Sequence, residues 1–218
     1  MTGFFYYLLT FAESVTSVFG IRSVYEQPRY TVVQDLGQST EVRRYEPRLA
    51  VEAIVANTDR DQAASEAFSL LFRYITGANQ REQKIAMTAP VRTQTGLPEA
   101  DQIAMTAPVR TAVIDGRLSM RFFLPQTVAR AGAPQPLDPR LHLVQVPETT
   151  IAALRYSGVA TQATRDHNAA ILTGVLAKSV WKPSGPVFQF SYDPPFTVPM
   201  LRRNEVAVEV APQASPPG

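Results

Sequence analysis

Two histidines, His142 and His167, are the side chains with the widest choice of chemistry in this sequence, because an imidazole can ligate a metal or carry a proton near neutral pH. They fall on different predicted elements, one in a strand and one near the start of a helix, so they offer no local metal-ligand spacing. The sequence has no cysteine. This excludes disulfides, thiolate catalysis and the usual structural zinc sites.

Familiar catalytic motifs are also missing from the sequence. It contains no Gly-x-Ser-x-Gly elbow, dinucleotide-binding glycine fingerprint, phosphate-binding loop or His-Glu-x-x-His pair. The 21 lysines and arginines balance 19 acidic residues to a net charge of +2 and form no long basic run. Common enzyme signatures are therefore absent, which favours a non-enzymatic role, and the charge pattern predicts no nucleic-acid partner.

One nonapeptide occurs twice in the middle of the chain, as Ile85–Thr93 and again as Ile103–Thr111. Each copy alternates apolar and small polar residues up to a proline, which predicts two short strands that meet across a turn at residues 96–98. Met87 and Met105 lie within these copies. Their thioethers could ligate iron, but methionine alternating with alanine in a strand is more typical of core packing.

The elements before the repeat follow from periodicity and turn residues. Residues 30–34, 40–45 and 49–56 have strand patterns separated by Gly37 and Pro47. A helix is predicted over residues 61–75, with a cap at Asn57 or Thr58 and an end at Gly77. Its apolar positions are Ala64, Ala67, Phe68, Leu71 and Ile75.

The elements after the repeat follow the same plan. We predict strands over residues 117–124, 141–146, 149–156, 187–192 and 205–210, and a helix over residues 164–180. Residues 125–140 are rich in proline, alanine and glycine and are predicted to form a loop, and Pro147 separates what we expect to be a second strand pair. Residues 211–218 are predicted to be a disordered tail.

Both halves thus repeat a strand, a proline turn, a strand and a helix, around Pro47 and around Pro147. This plan predicts an α+β fold: a distorted antiparallel β-barrel of two pseudo-symmetric halves with two packed helices. We place this domain at residues 28–210.

The segment before this domain, residues 1–27, has its own character. Residues 4–19 are apolar and aromatic, but Glu13 interrupts them and no lysine or arginine precedes them, which disfavours a signal peptide or a spanning helix. An N-terminal helix docked on the domain and a cytoplasmic location fit better. The alternative is a helix that contacts a membrane surface or another protein.

A family resemblance comes from three segments. Lys84–Val91 resembles the signature octapeptide of the SOUL haem-binding protein family, residues 41–47 resemble its first strand pair, and Tyr192–Pro195 with Arg202–Val206 resembles its C-terminal motif. The resemblance spans residues 28–210 in the family's order. It implies the same pseudo-twofold barrel and a protein that binds haem or another tetrapyrrole reversibly, for buffering or transfer. A haem-modifying enzyme and an interaction scaffold are the alternatives.

The resemblance also implies a site. Relatives that hold haem in an apolar groove line it with the first helix and with the loop after the Tyr-Asp-Pro-Pro motif, and the matching residues here are Ser65, Phe68, Phe72, Arg73, Phe196 and Thr197. Ser65 and Thr197 stand where a characterised relative has basic residues, and the two phenylalanines replace methionines. Arg73, with Arg202 or Arg203, would meet the propionates. In the alternative reading Phe68 and Phe72 are core residues and Arg73 is solvated.

Strong axial ligation by the protein is not expected from this resemblance. In some relatives a histidine implicated in haem ligation occupies the position of Arg44, and arginine cannot take that role. His167, one turn before Ile171, borders an apolar stripe and is a conceivable ligand, although a histidine near a helix start is more typically solvated.

Overall fold

The computed structural model describes residues 26–56, 59–80, 107–114, 116–193 and 197–213, and this part of the chain has the predicted α+β fold. The strands are β1 (Tyr30–Gly37), β2 (Thr40–Tyr45), β3 (Arg48–Val55), β4 (Val109–Ile114), β5 (Arg117–Phe123), β6 (Leu141–Val146), β7 (Thr149–Tyr156), β8 (Trp181–Pro183), β9 (Phe188–Ser191) and β10 (Asn204–Pro212). The helices are α1 (Arg60–Ile75), α2 (Gln126–Ala131) and α3 (Gln162–Ala177), and a 3₁₀ turn covers Pro199–Leu201.

The strands form one curled antiparallel sheet in the order β1-β2-β7-β10-β9-β4-β5-β3-β6, and β8 pairs with β10. Apart from β1, exchanging β2, β7, β10 and β9 with β6, β3, β5 and β4 gives the same order read in reverse. The two pseudo-symmetric halves are therefore confirmed. Among the described strands, β1 and β6 each have a single neighbour, so the barrel is open between them.

The strands around each proline turn do not pair with each other as predicted. β2 pairs with β7 and β3 pairs with β6, so each half gives one strand to the other half. The reason is local geometry. A tight hairpin turn needs positive φ, as at Gln38 (φ 50) and Ser39 (φ 57) between β1 and β2, whereas proline fixes φ near −65°. The chain therefore turns a corner at Pro47 and at Pro147 instead of folding back.

Both long helices pack against the same face of the sheet, called here the helix face. Helix α1 covers alternate residues of β3 and β5, including Val51 and Phe122. Helix α3 covers alternate residues of β7 and β10 through Leu172 and Leu176. The opposite, inner face is lined by aromatic and small residues of both halves, which close the core. The sheet curls around this inner face.

Helix α1 starts and ends close to the predicted positions. Its cap is Asp59 rather than Asn57 or Thr58, which lie outside the described residues, and Asp59 Oδ1 accepts from the backbone N of Asp61 at 2.9 Å and of Gln62 at 3.1 Å. The helix ends before Gly77, whose φ of 117° fits the predicted cap.

Three elements differ from the sequence-based expectation. Helix α2 occupies part of the predicted loop over residues 125–140, and the short strand β8 was not predicted. In the second copy of the nonapeptide the strand follows Pro108 instead of stopping there, and Val109–Thr111 already pairs with both β5 and β9. These three residues therefore cannot pair with the first copy.

Several expectations fall outside the described residues: the N-terminal helix, the first nonapeptide copy, Met87, Met105 and residues 214–218. The prediction of a tail from residue 211 is wrong at its start, because Ala211 and Pro212 belong to β10 and pair with Lys182 and Trp181 of β8.

Candidate functional site

The strip of sheet between α1 and α3 is formed by β4 and β9. Pairing places Val109 opposite both Phe122, which α1 covers, and Ser191. Val206, which α3 covers, lies opposite Gln189. Directly paired residues project from the same face of a sheet. Thr111, Gln189 and Ser191 therefore form the floor of an interhelical groove.

Phe68 and Phe72 lie on the side of α1 that faces this groove. Their rings stack at 6.0 Å with an interplanar angle of 21°, and Phe68 contacts the Phe122 ring edge-on at 5.5 Å. The opposite side of α1 is occupied by Glu66, which pairs with Arg140 just before β6. The phenylalanine pair therefore faces β4, and Phe68 keeps 40% of its surface exposed.

Two predicted residues of α1 occupy different surroundings. Ser65 is exposed and lies on the same side as the phenylalanine pair, since residues three or four apart are neighbours on a helix. Arg73 is exposed as well but lies about 100° around the helix from Phe72. A hydrogen bond from Arg140, with a smaller effect of the Arg73 charge, lowers the pKa of Asp138 to about 2. Arg73 thus lies towards Asp138, away from the phenylalanine pair.

The loop after β9 lies near the N-terminal end of α3. Gly158 N donates to Pro199 O at 2.9 Å. The N-terminal ends of the two helices are joined by a 2.7 Å hydrogen bond from Arg60 Nη1 to Gln162 Oε1. Thr197 is fully buried, and its carbonyl accepts from Arg202 Nε at 2.8 Å. Phe196 lies outside the described residues.

In the described part of this loop the exposed large apolar side chains are Met200, with 76% of its surface exposed, and Leu201, with 40%. Neither residue was predicted from the sequence, because the site residues were inferred only at the positions that match the site of the relatives. The apolar run Val198–Leu201 was the available signal. These side chains, rather than Thr197, give the loop its apolar surface.

The two histidines lie on different elements and do not form a common site. His142 is paired with Glu52 on the inner face of the sheet, and His167 is exposed on α3. Within the described ranges no group of three or more histidine, aspartate or glutamate side chains could hold a metal ion. No helix in the described part of the chain is long and apolar enough to span a membrane.

A buried charge network lies on the inner face, behind the groove. Glu205 has no exposed side-chain surface and bonds Arg43 Nη1 at 2.8 Å, Arg203 Nη2 at 2.6 Å and Tyr192 Oη at 2.8 Å. Burial would raise the pKa of Glu205, but Arg43 and Arg203 outweigh it and lower that pKa. Arg203 is thereby held in the fold by Glu205.

Comparisons with known proteins concern the family of the chain. The family model described as SOUL heme-binding protein matches residues 25–209, which confirms the resemblance noted from the sequence. The chain is 27% identical over 170 residues to Heme-binding protein 1 of Xenopus tropicalis, covering 78% of this chain and 83% of that protein. It is 41% identical over 69 residues to Heme-binding protein 2 of Homo sapiens, covering 30% and 34%.

Solved structures share the fold at low sequence identity. The C-terminal domain of EcmrR aligns with a TM-score of 0.57 and 8% identity, covering 84% of this chain and 98% of that domain. A hydrolase from Listeria innocua aligns with a TM-score of 0.51 and 13% identity, covering 80% and 92%. At these identities the similarity concerns the fold alone.

Proposed function

The chain belongs to the SOUL heme-binding protein family, and on this premise we propose that it binds haem or a related tetrapyrrole reversibly, for buffering or transfer. The ring rests in the interhelical groove against Phe68 and Phe72, and Ser65 lies at its edge. The observation that carries the proposal is the stacked phenylalanine pair on the groove side of α1, because a partly exposed aromatic surface suits a flat apolar ligand.

Contact with the ring, rather than iron ligation, supplies the affinity. His142 lies on the inner face and His167 on the exposed surface of α3, so neither supports axial ligation in the groove. Haem would supply a large planar surface to bury, and the protein residues orient it and exclude water from one side. The loop with Met200 and Leu201 adds apolar surface near the joined ends of the helices.

An absorption titration tests this proposal. Hemin and metal-free protoporphyrin are each added to the wild-type protein and to Phe72→Ala and Phe68→Ala variants. We expect saturable binding of both porphyrins with similar affinity, since iron ligation is dispensable. Each alanine variant should lose about 1–2 kcal/mol of binding free energy, corresponding to the lost aromatic contact area.

Arg73→Ala is the matched control from the same helix, because Arg73 is exposed and lies away from the phenylalanine pair. It should bind hemin within about threefold of wild type, a change smaller than 1 kcal/mol. A larger loss with Arg73→Ala than with Phe72→Ala would move the ring to the other side of α1. The absence of saturable binding to either porphyrin would contradict the function itself.

A further inference from the structure

Arg48 stands out among the half-buried charges of the described residues. It follows Pro47 at the corner where the chain passes from one half of the sheet to the other. Its guanidinium carbon lies 4.7 Å from the centre of the Tyr45 ring and 4.9 Å from that of Phe123. Such contacts hold the plane of a guanidinium in place, and the N–H groups at its edge can donate hydrogen bonds to an anion.

The hydrogen bonds of Arg48 reach neutral groups only. Nη1 donates to Glu46 O at 3.2 Å, and Nη1 and Nη2 donate to Thr149 Oγ1 at 3.2 and 3.1 Å. Nε is buried and has no partner within the described residues. None of the ion pairs in the described part of the chain includes Arg48. Its charge is therefore not neutralised by direct contact with a carboxylate.

Arg43 provides a contrast in the same sheet. It is more deeply buried than Arg48 and contacts two carboxylates, Glu41 and Glu205, each at 2.8 Å. Burial lowers the pKa of Arg48 to about 10; Tyr45 and Glu209 oppose this shift, and the nearby cation Arg110 adds to it. A half-buried cation with no carboxylate in direct contact favours an anion that can approach it.

A cavity of about 350 Å³ opens beside Arg48. Arg29 and Arg130 also line it, and the three arginines exceed the two glutamates of the lining, Glu26 and Glu46. Glu26 already accepts from the backbone N of Gln126 at 3.1 Å. The remaining wall is largely apolar and includes Leu49, Phe123, Leu124 and Ala129. The volume lies in the range of small-molecule sites.

We propose that this cavity binds a small organic oxyanion, a carboxylate or a phosphate monoester joined to an apolar group. The oxyanion accepts hydrogen bonds from the Arg48 guanidinium, and Arg29 and Arg130 add positive charge to the lining. The apolar group packs against Leu124 and its neighbours. This site is separate from the interhelical groove, because its lining contains neither Phe68 nor Phe72.

Calorimetric titration with three isosteric probes tests the charge requirement. Benzoate and phenyl phosphate carry the oxyanion, and benzamide is the neutral counterpart. We expect saturable binding of at least one of the two anions and at least about tenfold weaker binding of benzamide. A preference between the anions identifies the source as carboxylate or phosphate. Equal binding of benzamide, or no saturable binding of either anion, would overturn the proposal.

Arg48→Met tests the residue. It should weaken binding of the preferred anion at least about tenfold, and circular dichroism of the variant without ligand checks that it is folded. Arg48→Lys keeps the charge but loses the fork, so it should bind with intermediate affinity. The control is Arg117→Met, an exposed arginine at the other end of β5, which should leave binding unchanged. Equal losses in Arg48→Met and Arg117→Met, or no loss in Arg48→Met, would contradict the site.

Discussion

Glu205 is the residue on which the inner face depends most. Its carboxylate has no solvent exposure and forms ion pairs with two cations, Arg43 and Arg203. Glu205→Ala leaves both arginines without their shared partner, and we expect a loss of about 3–5 kcal/mol in the free energy of unfolding. Urea denaturation of the two proteins measures this loss.

The exposed pair of Arg44 and Glu148 provides the control. Their charged atoms are 3.9 Å apart, and the side chains are 52% and 62% exposed. Arg44→Ala should change the free energy of unfolding by less than about 1 kcal/mol. Equal losses in Arg44→Ala and Glu205→Ala would show that the buried network has no special role.

The same carboxylate predicts how stability depends on pH. The folded-state pKa of Glu205 is lowered, because the stabilisation by Arg43 and Arg203 exceeds the penalty of burial. Its contribution is therefore complete above the unfolded pKa of a glutamate, about 4.3, and is lost as the pH falls through the lower folded value. Urea midpoints from pH 7 to 2.5 should fall more steeply in wild type than in Glu205→Gln. Parallel curves would contradict this assignment.

The sequence predicts single residues well where a local pattern positions them. Phe68 and Phe72 are one turn apart, so helical periodicity is enough to put them on one side of α1. Thr197 could not be judged in this way. Its burial depends on the course of the loop between β9 and β10. One contact that positions this loop comes from Gly158, which is distant in the sequence, and another comes from Arg202 at the end of the loop.

At the scale of elements, α1 depends on its cap. Asp59 Oδ1 accepts from two backbone N–H groups of the first turn, which otherwise have no partner in the helix. Asp59→Ala should lower the free energy of unfolding by about 1 kcal/mol, and Asp59→Asn should retain most of it. Thermal unfolding of the two variants tests this. Equal losses in both would attribute the effect to the charge instead of the cap.

The two sides of α1 should respond differently to truncation. Leu71 is completely buried on the core side of α1, so Leu71→Ala should lower the free energy of unfolding by about 2–5 kcal/mol. Phe68 is 40% exposed, so Phe68→Ala should cost only about 1–2 kcal/mol. Denaturant unfolding measures both. If Phe68→Ala were the more damaging change, Phe68 would be a core residue and the groove would lose one wall.

Elements were predicted more accurately than their pairing. β2, β6 and β7 have the predicted bounds, because alternation and turn residues are local signals. Their partners were wrong, since pairing is decided by contacts between the two halves. The sequence shows that Pro47 and Pro147 interrupt the strands, but only the tertiary structure shows that the chain passes there into the other half.

At the scale of the whole molecule, the exchange of strands makes the two halves interdependent. β2 of the first half pairs with β7 of the second half, and β6 of the second half pairs with β3 of the first half. We therefore expect a single cooperative unfolding transition. Fluorescence of Trp181, the only tryptophan, and far-ultraviolet circular dichroism should give coincident urea curves. Two separated transitions would mean that the halves fold independently.

The groove also arises at this scale, because its walls come from different halves and its floor lies where β4 meets β9. The central claim of the proposed function is that a tetrapyrrole lies in this groove against Phe68 and Phe72. The most direct measurement is paramagnetic broadening of amide signals by bound hemin in nuclear magnetic resonance. We predict selective broadening at Phe68, Phe72, Thr111 and Gln189, with His142 on the inner face unaffected. Broadening centred on the inner face, with the α1 signals unchanged, would contradict the account.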